Sequence, residues 1–114
     1  MPASAHNAQL YNACITACHA CADACDHCAA ACLREPELPM LARCITLDMD
    51  CAALCRLCAS FMARDSEFSA ALCHCCAEVC DACAATCAVH AHAHCQHCAE
   101  ACRRCAQACR QMSA

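Results

Sequence analysis

The sequence predicts an all-α protein, an antiparallel up-down-up-down four-helix bundle with a cysteine-lined core. Three observations predict it. Cysteines recur at alternating steps of three and four in four separate blocks, a helical period and not a strand period. The remaining block positions are mostly Ala, Leu, Arg, Glu, Gln and Met, which are strong helix formers, and the 114 residues contain no Gly. Short polar connectors separate the blocks, and short connectors make neighbouring helices antiparallel. The expected helices span about 5–33, 40–63, 68–89 and 93–111, in one domain covering residues 1–114.

The first block opens the pattern with "CITACHACADACDHCAAAC", which places Cys14, Cys18, Cys21, Cys25, Cys28 and Cys32 on one seam. Extended backward, the seam reaches Tyr11 and Asn7. "LREPELP" follows, and its two prolines break helix and favour a turn. The second block gives Leu41, Cys44, Asp48, Cys51, Cys55, Cys58 and Met62. "RDSE" then offers Asp65 or Ser66 as the N-cap of the third helix. The third seam is Cys73, Cys76, Cys80, Cys83, Cys87 and His90. After "VHAHAH" comes the fourth, with Cys95, Cys98, Cys102, Cys105, Cys109 and Met112.

A strict three-four alternation marks the a/d positions that face a bundle core. Twenty of the 21 cysteines are therefore expected inside, with Cys75 alone off register. Antiparallel order puts Tyr11, Met62 and Met112 at one end. It puts Met40, His90, His92 and His94 at the other, with Asp48 a turn or two inside. His19, His27, His74 and His97 lie off the seam and read as solvated or at a subunit contact.

Composition excludes several classes. A net charge of -4 without a basic patch, and 3% aromatic content, argue against nucleic acid as a partner. The lack of Gly argues against phosphate-cradling loops. No apolar run is expected to span a membrane. "MPASAHNAQLYNA" has neither the charged nor the apolar region of a signal peptide, so the expected compartment is the cytosol, where thiols stay reduced. No activated nucleophile with an orienting partner stands out, and an enzyme is not expected.

Four readings of the thiol seam compete. Cysteine packs as a small hydrophobe, but Ala or Leu would do so without the oxidation hazard. Disulfides fit poorly: residues one turn apart have Cβ atoms about 5–6 Å apart, against the roughly 3.5–4.5 Å of a bridge. Zinc or cadmium sequestration remains open, since CxxC steps such as Cys18 to Cys21 and Cys55 to Cys58 are present. A thiol redox buffer also remains, though it would want an exposed CxxC at a helix start. Cu(I) fits best, because it is soft and prefers thiolate and thioether. Two thiolates one turn apart reach a common point, so each CxxxC pair could hold an ion. The pairs are Cys14–Cys18, Cys21–Cys25, Cys28–Cys32, Cys51–Cys55, Cys76–Cys80, Cys83–Cys87, Cys98–Cys102 and Cys105–Cys109. Asp48 reads either as an oxygen ligand, paired with His90 or a thiolate, or as a seam carboxylate hydrogen-bonded to a histidine.

The repeated CxxxCxxC pattern, "LDMDCAALC" in the second block and "HAHAHC" before the fourth resemble the bacterial four-helix copper storage proteins. The match covers nearly the whole chain and lies nearer the cytosolic branch than the exported one. The resemblance implies a homotetramer, many Cu(I) ions per chain bound mainly by thiolates, and no catalysis. It also implies admission of copper at the end carrying Met40, His90, His92 and His94; a protein that donates or accepts the copper is a further expected partner. Leu10, Ile45, Leu54, Phe61, Phe68 and Leu72, outside the seam, suggest a buried face between subunits.

Overall fold

The computed structural model describes residues 5–113, with the side chains of 8–112; Asn7, where the seam was extended, lies outside the described side chains. Four helices follow in order: α1 (Ala5–Cys32), α2 (Leu38–Ala63), α3 (Ser69–Ala88) and α4 (Ala93–Ser113). The described residues contain no strand. α1 packs on α2 and α4, and α3 packs on the same two, so α1 and α3 lie diagonally opposed. The bundle measures 54 × 18 × 17 Å.

The boundaries have local causes. Pro39 sits in the first turn of α2, where its missing N–H is no loss. α2 closes in a Schellman arrangement: Asp65 N–H donates to the Met62 carbonyl at 3.0 Å and Ser66 N–H to that of Phe61 at 3.0 Å. This needs a left-handed residue after the helix, and Asp65 supplies it at φ 54°. The expected N-cap of α3 is therefore shifted. Asp65 closes α2 instead, Phe68 holds the N-cap position, and Ser66 Oγ accepts from Phe68 N–H at 3.1 Å.

The core is almost entirely sulfur and alanine. All twenty seam cysteines are fully buried, and Cys75 is exposed. One position beyond alternate seam cysteines stands a buried alanine on every helix: Ala22 and Ala29, Ala52 and Ala59, Ala77 and Ala84, Ala99 and Ala106. These e positions let the helix backbones approach, so that small thiols can still fill the axis.

α3 is long and apolar enough to cross a membrane by length and composition, contrary to the expectation for this chain. Its apolarity comes largely from Cys and Ala, and its cysteine seam is buried against α2 and α4.

Candidate metal centre

The seam positions build one continuous column of sulfur. Along single helices the step of four brings sulfurs within 3.8–4.0 Å, in the pairs Cys21–Cys25, Cys28–Cys32, Cys51–Cys55, Cys76–Cys80, Cys83–Cys87, Cys98–Cys102 and Cys105–Cys109. Between helices the gaps are no wider. Cys14 and Cys109 are 3.6 Å apart, Cys55 and Cys76 3.6 Å, Cys51 and Cys80 3.6 Å, and Cys25 and Cys98 3.6 Å. Groups of four thiols have all their sulfurs within 4.8 Å of one another, and the groups overlap. Cys21 and Cys51 belong both to a set with Cys25 and Cys102 and to one with Cys55 and Cys80. All 21 cysteines are free thiols.

Asp48 interrupts the sulfur of α2 and is fully buried. Its partners are thiols, not a histidine. Cys98, Cys83 and Cys87 donate to Oδ1 at 3.1, 3.2 and 3.4 Å, and Cys44 donates to Oδ2 at 3.7 Å. Burial pushes its pKa up to about 10, so the carboxyl is neutral in the metal-free core.

The thiols divide the same way. Hydrogen bonds from Cys105 and Cys109 draw Cys18 down to about 6, and the one from Cys102 lowers Cys51. Other thiols move oppositely. Cys87 is pushed up through its bonds with Cys28 and Cys44, and Cys102 through its bonds with Cys21 and Cys25. A few thiolates solvated by surrounding S–H groups are the most that a dry column tolerates; the rest keep their protons.

The histidine end is capped from two loops. His94 Nδ1 lies 3.5 Å from Cys95 Sγ and 3.7 Å from the sulfurs of both Cys28 and Cys32. Its Nε2 faces Glu35 Oε1 at 3.4 Å. His92 Nε2 bonds Glu37 Oε1, its Nδ1 lies 3.6 Å from Glu35 Oε2, and its ring stacks on that of His94 at 5.2 Å. His94 is thus joined to the column, and His92 to the carboxylates above it. His90 occupies no seam slot, because α3 ends at Ala88. Among the described residues its hydrogen bonds run through the backbone, from its N–H to Cys87 at 3.1 Å and from Gln96 Nε2 to its carbonyl at 2.6 Å. Met40 is exposed. Glu35 and Glu37 were legible only as part of a proline-containing connector; nothing local signals that they meet residues 55 and more positions away.

At the opposite end, Met62 is buried with Sδ 3.7 Å from Cys73 Sγ, and Tyr11 and Met112 pack on the core partly exposed. His19, His27, His74 and His97 are exposed, as expected off the seam, and His74 pairs with Glu78 at 3.2 Å.

Comparison with known proteins fits this geometry. Residues 7–114 match the model of the family described as copper storage protein. The chain is 46% identical to Cu(I)-bound copper storage protein BsCsp3, of Bacillus subtilis, with 92% of this chain and 99% of that one covered and a TM-score of 0.88. It is 43% identical to a cytosolic copper storage protein from Streptomyces lividans holding five coppers, with 92% of each chain covered and a TM-score of 0.89. The same Streptomyces lividans protein, Ccsp, loaded with 10 copper equivalents superposes with a TM-score of 0.92 at 41% identity, over 99% of this chain and 92% of that one. No curated protein matches the chain.

Proposed function

The chain belongs to the copper storage protein family, and from that premise we propose that it holds many Cu(I) ions on the thiolates of its bundle core. The twenty seam cysteines are the ligands in this reading, with Asp48 and His94 at the histidine end of the column. The observation that carries it is the set of overlapping groups of four buried thiols whose sulfurs all lie within 4.8 Å of one another. With metal–sulfur bonds of about 2.3 Å, two sulfurs about 3.9 Å apart subtend an angle of about 115° at a shared ion. That suits a metal content with two or three thiolates, and small side-chain rotations widen the pair toward a straight bridge.

Zinc or cadmium is the second reading, since the four-thiol groups would also fit a tetrahedral ion. Charge argues against filling the column that way. A divalent ion on four thiolates leaves a net charge of about -2 at every buried site. Cu(I) sharing thiolates between neighbouring ions approaches neutrality as the column fills. The overlap of the groups favours the same answer, because shared ligands suit ions of low coordination number.

A thiol redox buffer needs accessible thiols, and the exposed cysteine is Cys75 alone, off the column. We assign no catalysis: equivalent thiols along the whole axis reserve no place for a substrate. A cytoplasmic location is supported by the relative described as cytosolic. Copper is admitted, in this reading, at the His90, His92 and His94 end, where His94 reaches both thiols and loop carboxylates. Assembly into a homotetramer is supported by apolar side chains left outside the core, among them Leu57 and Phe68. A separate protein that supplies or collects the copper completes the scheme.

Native mass spectrometry of the reduced protein, offered Cu(I) and zinc together, tests the assignment. It should show a ladder of copper adducts with zinc excluded; a chain saturated by zinc alone would refute it.

A further inference from the structure

The column ends differently at its two extremes of α2. Leu41 fills the first seam position and is fully buried, so bulk alone suffices there. Met62 fills the last, 2% exposed, and presents sulfur to sulfur: Sδ lies 3.7 Å from Cys73 Sγ, which lies 3.2 Å from Cys58 Sγ. Met62 follows Cys58 by four residues, the step that joins paired thiols throughout the column. Tyr11 packs partly buried on the core.

We propose that Cys58, Cys73 and Met62 form a mixed thiolate–thioether site that holds one Cu(I) ion at the end of the column away from the histidines. The inference rests on the copper storage reading and extends it to a residue outside the thiol set. A thioether is soft and uncharged, so it adds a third ligand to a monovalent ion without adding buried charge. Zinc takes its ligands from Cys, His and carboxylates. The all-thiolate groups along the column fit either metal, whereas this terminal site selects Cu(I).

The test uses reduced, full-length protein carrying 13C-methyl methionine, titrated with Cu(I) under anaerobic conditions. Loss of one signal in Met62→Leu, which conserves volume, assigns the Met62 methyl, and circular dichroism checks that this variant remains helical. The Met62 methyl signal should shift as copper loads while that of the exposed Met49 stays in place, and Met62→Leu should bind about one ion fewer per chain. A Met62 signal unmoved at full loading, with undiminished capacity in Met62→Leu, overturns the site while leaving copper storage intact. Failure of wild-type protein to take up copper overturns both.

Discussion

The thiol of Cys98 donates a hydrogen bond to the carboxyl of Asp48 across 3.1 Å in the interior of the bundle, and three other thiols converge on the same carboxyl. A column of soft ligands therefore contains one oxygen acid, held neutral by its burial until something positive arrives.

That neutrality has a consequence for stability. The folded-state pKa of about 10 lies above the ordinary carboxylate value of about 3.9, so the folded state holds this proton more tightly. Stability from this group is present at low pH and falls as pH rises from about 4 toward 10, by at most about 1.4 kcal/mol per pH unit. Asp48→Asn removes the dependence. Urea unfolding of reduced, metal-free protein at pH 5 and pH 7 should show a larger loss for wild type than for Asp48→Asn. Equal losses would mean that Asp48 ionises freely in the core.

Loading should release protons. Most core thiols keep theirs in the metal-free state, with Cys87, Cys102 and Cys109 all pushed up by their hydrogen-bonded neighbours. Each thiol must lose its proton to bind. Potentiometry at constant pH 7 should find close to one proton released per thiolate engaged, and copper affinity should weaken in acid. Uptake without proton release would contradict a thiolate column.

Glu35 should matter although it touches no sulfur. It faces His94 Nε2, leaving Nδ1 to the thiols of Cys28, Cys32 and Cys95. A carboxylate behind a histidine fixes its tautomer and orientation, and losing such a partner typically weakens metal binding about 10–100-fold. Glu35→Ala should weaken the ion held at this end by that factor, with total capacity unchanged and Glu35→Gln retaining part of the function. Chelator competition at sub-stoichiometric copper reads this directly.

The alanine stripe can be tested without metal. Ala22 is fully buried at an e position, so a larger side chain there has no solvent to move into. Ala22→Leu should destabilise the reduced protein by about 1–3 kcal/mol, seen as a lowered Tm, because overpacking forces helices apart. Unchanged stability would mean that the helix spacing is not set by these alanines.

Much of this was legible in the sequence because one residue type repeats with one period. The seam from Cys14 to Cys109 follows from steps of three and four, and burial of all twenty thiols needs no further information. The alanines one position on repeat every seven residues and could have been read by the same rule. The ends were less legible. His90 continues the arithmetic of α3, but the helix stops at Ala88 and the arithmetic stops with it. Asp48 was placed correctly in the core, yet its thiol partners come from α2, α3 and α4 and depend on how those helices are staggered. Glu35 and Glu37 meet His92 and His94 only because the α1–α2 and α3–α4 loops share one end of the bundle.

The most direct test is an anaerobic Cu(I) titration of the fully reduced protein against a chromogenic Cu(I) chelator, with far-ultraviolet circular dichroism at each step. A preformed storage column predicts uptake on the order of ten or more ions per chain, with the helical signal already complete before any copper is added. Saturation at about four ions or fewer, or helix that appears only as metal binds, would contradict it.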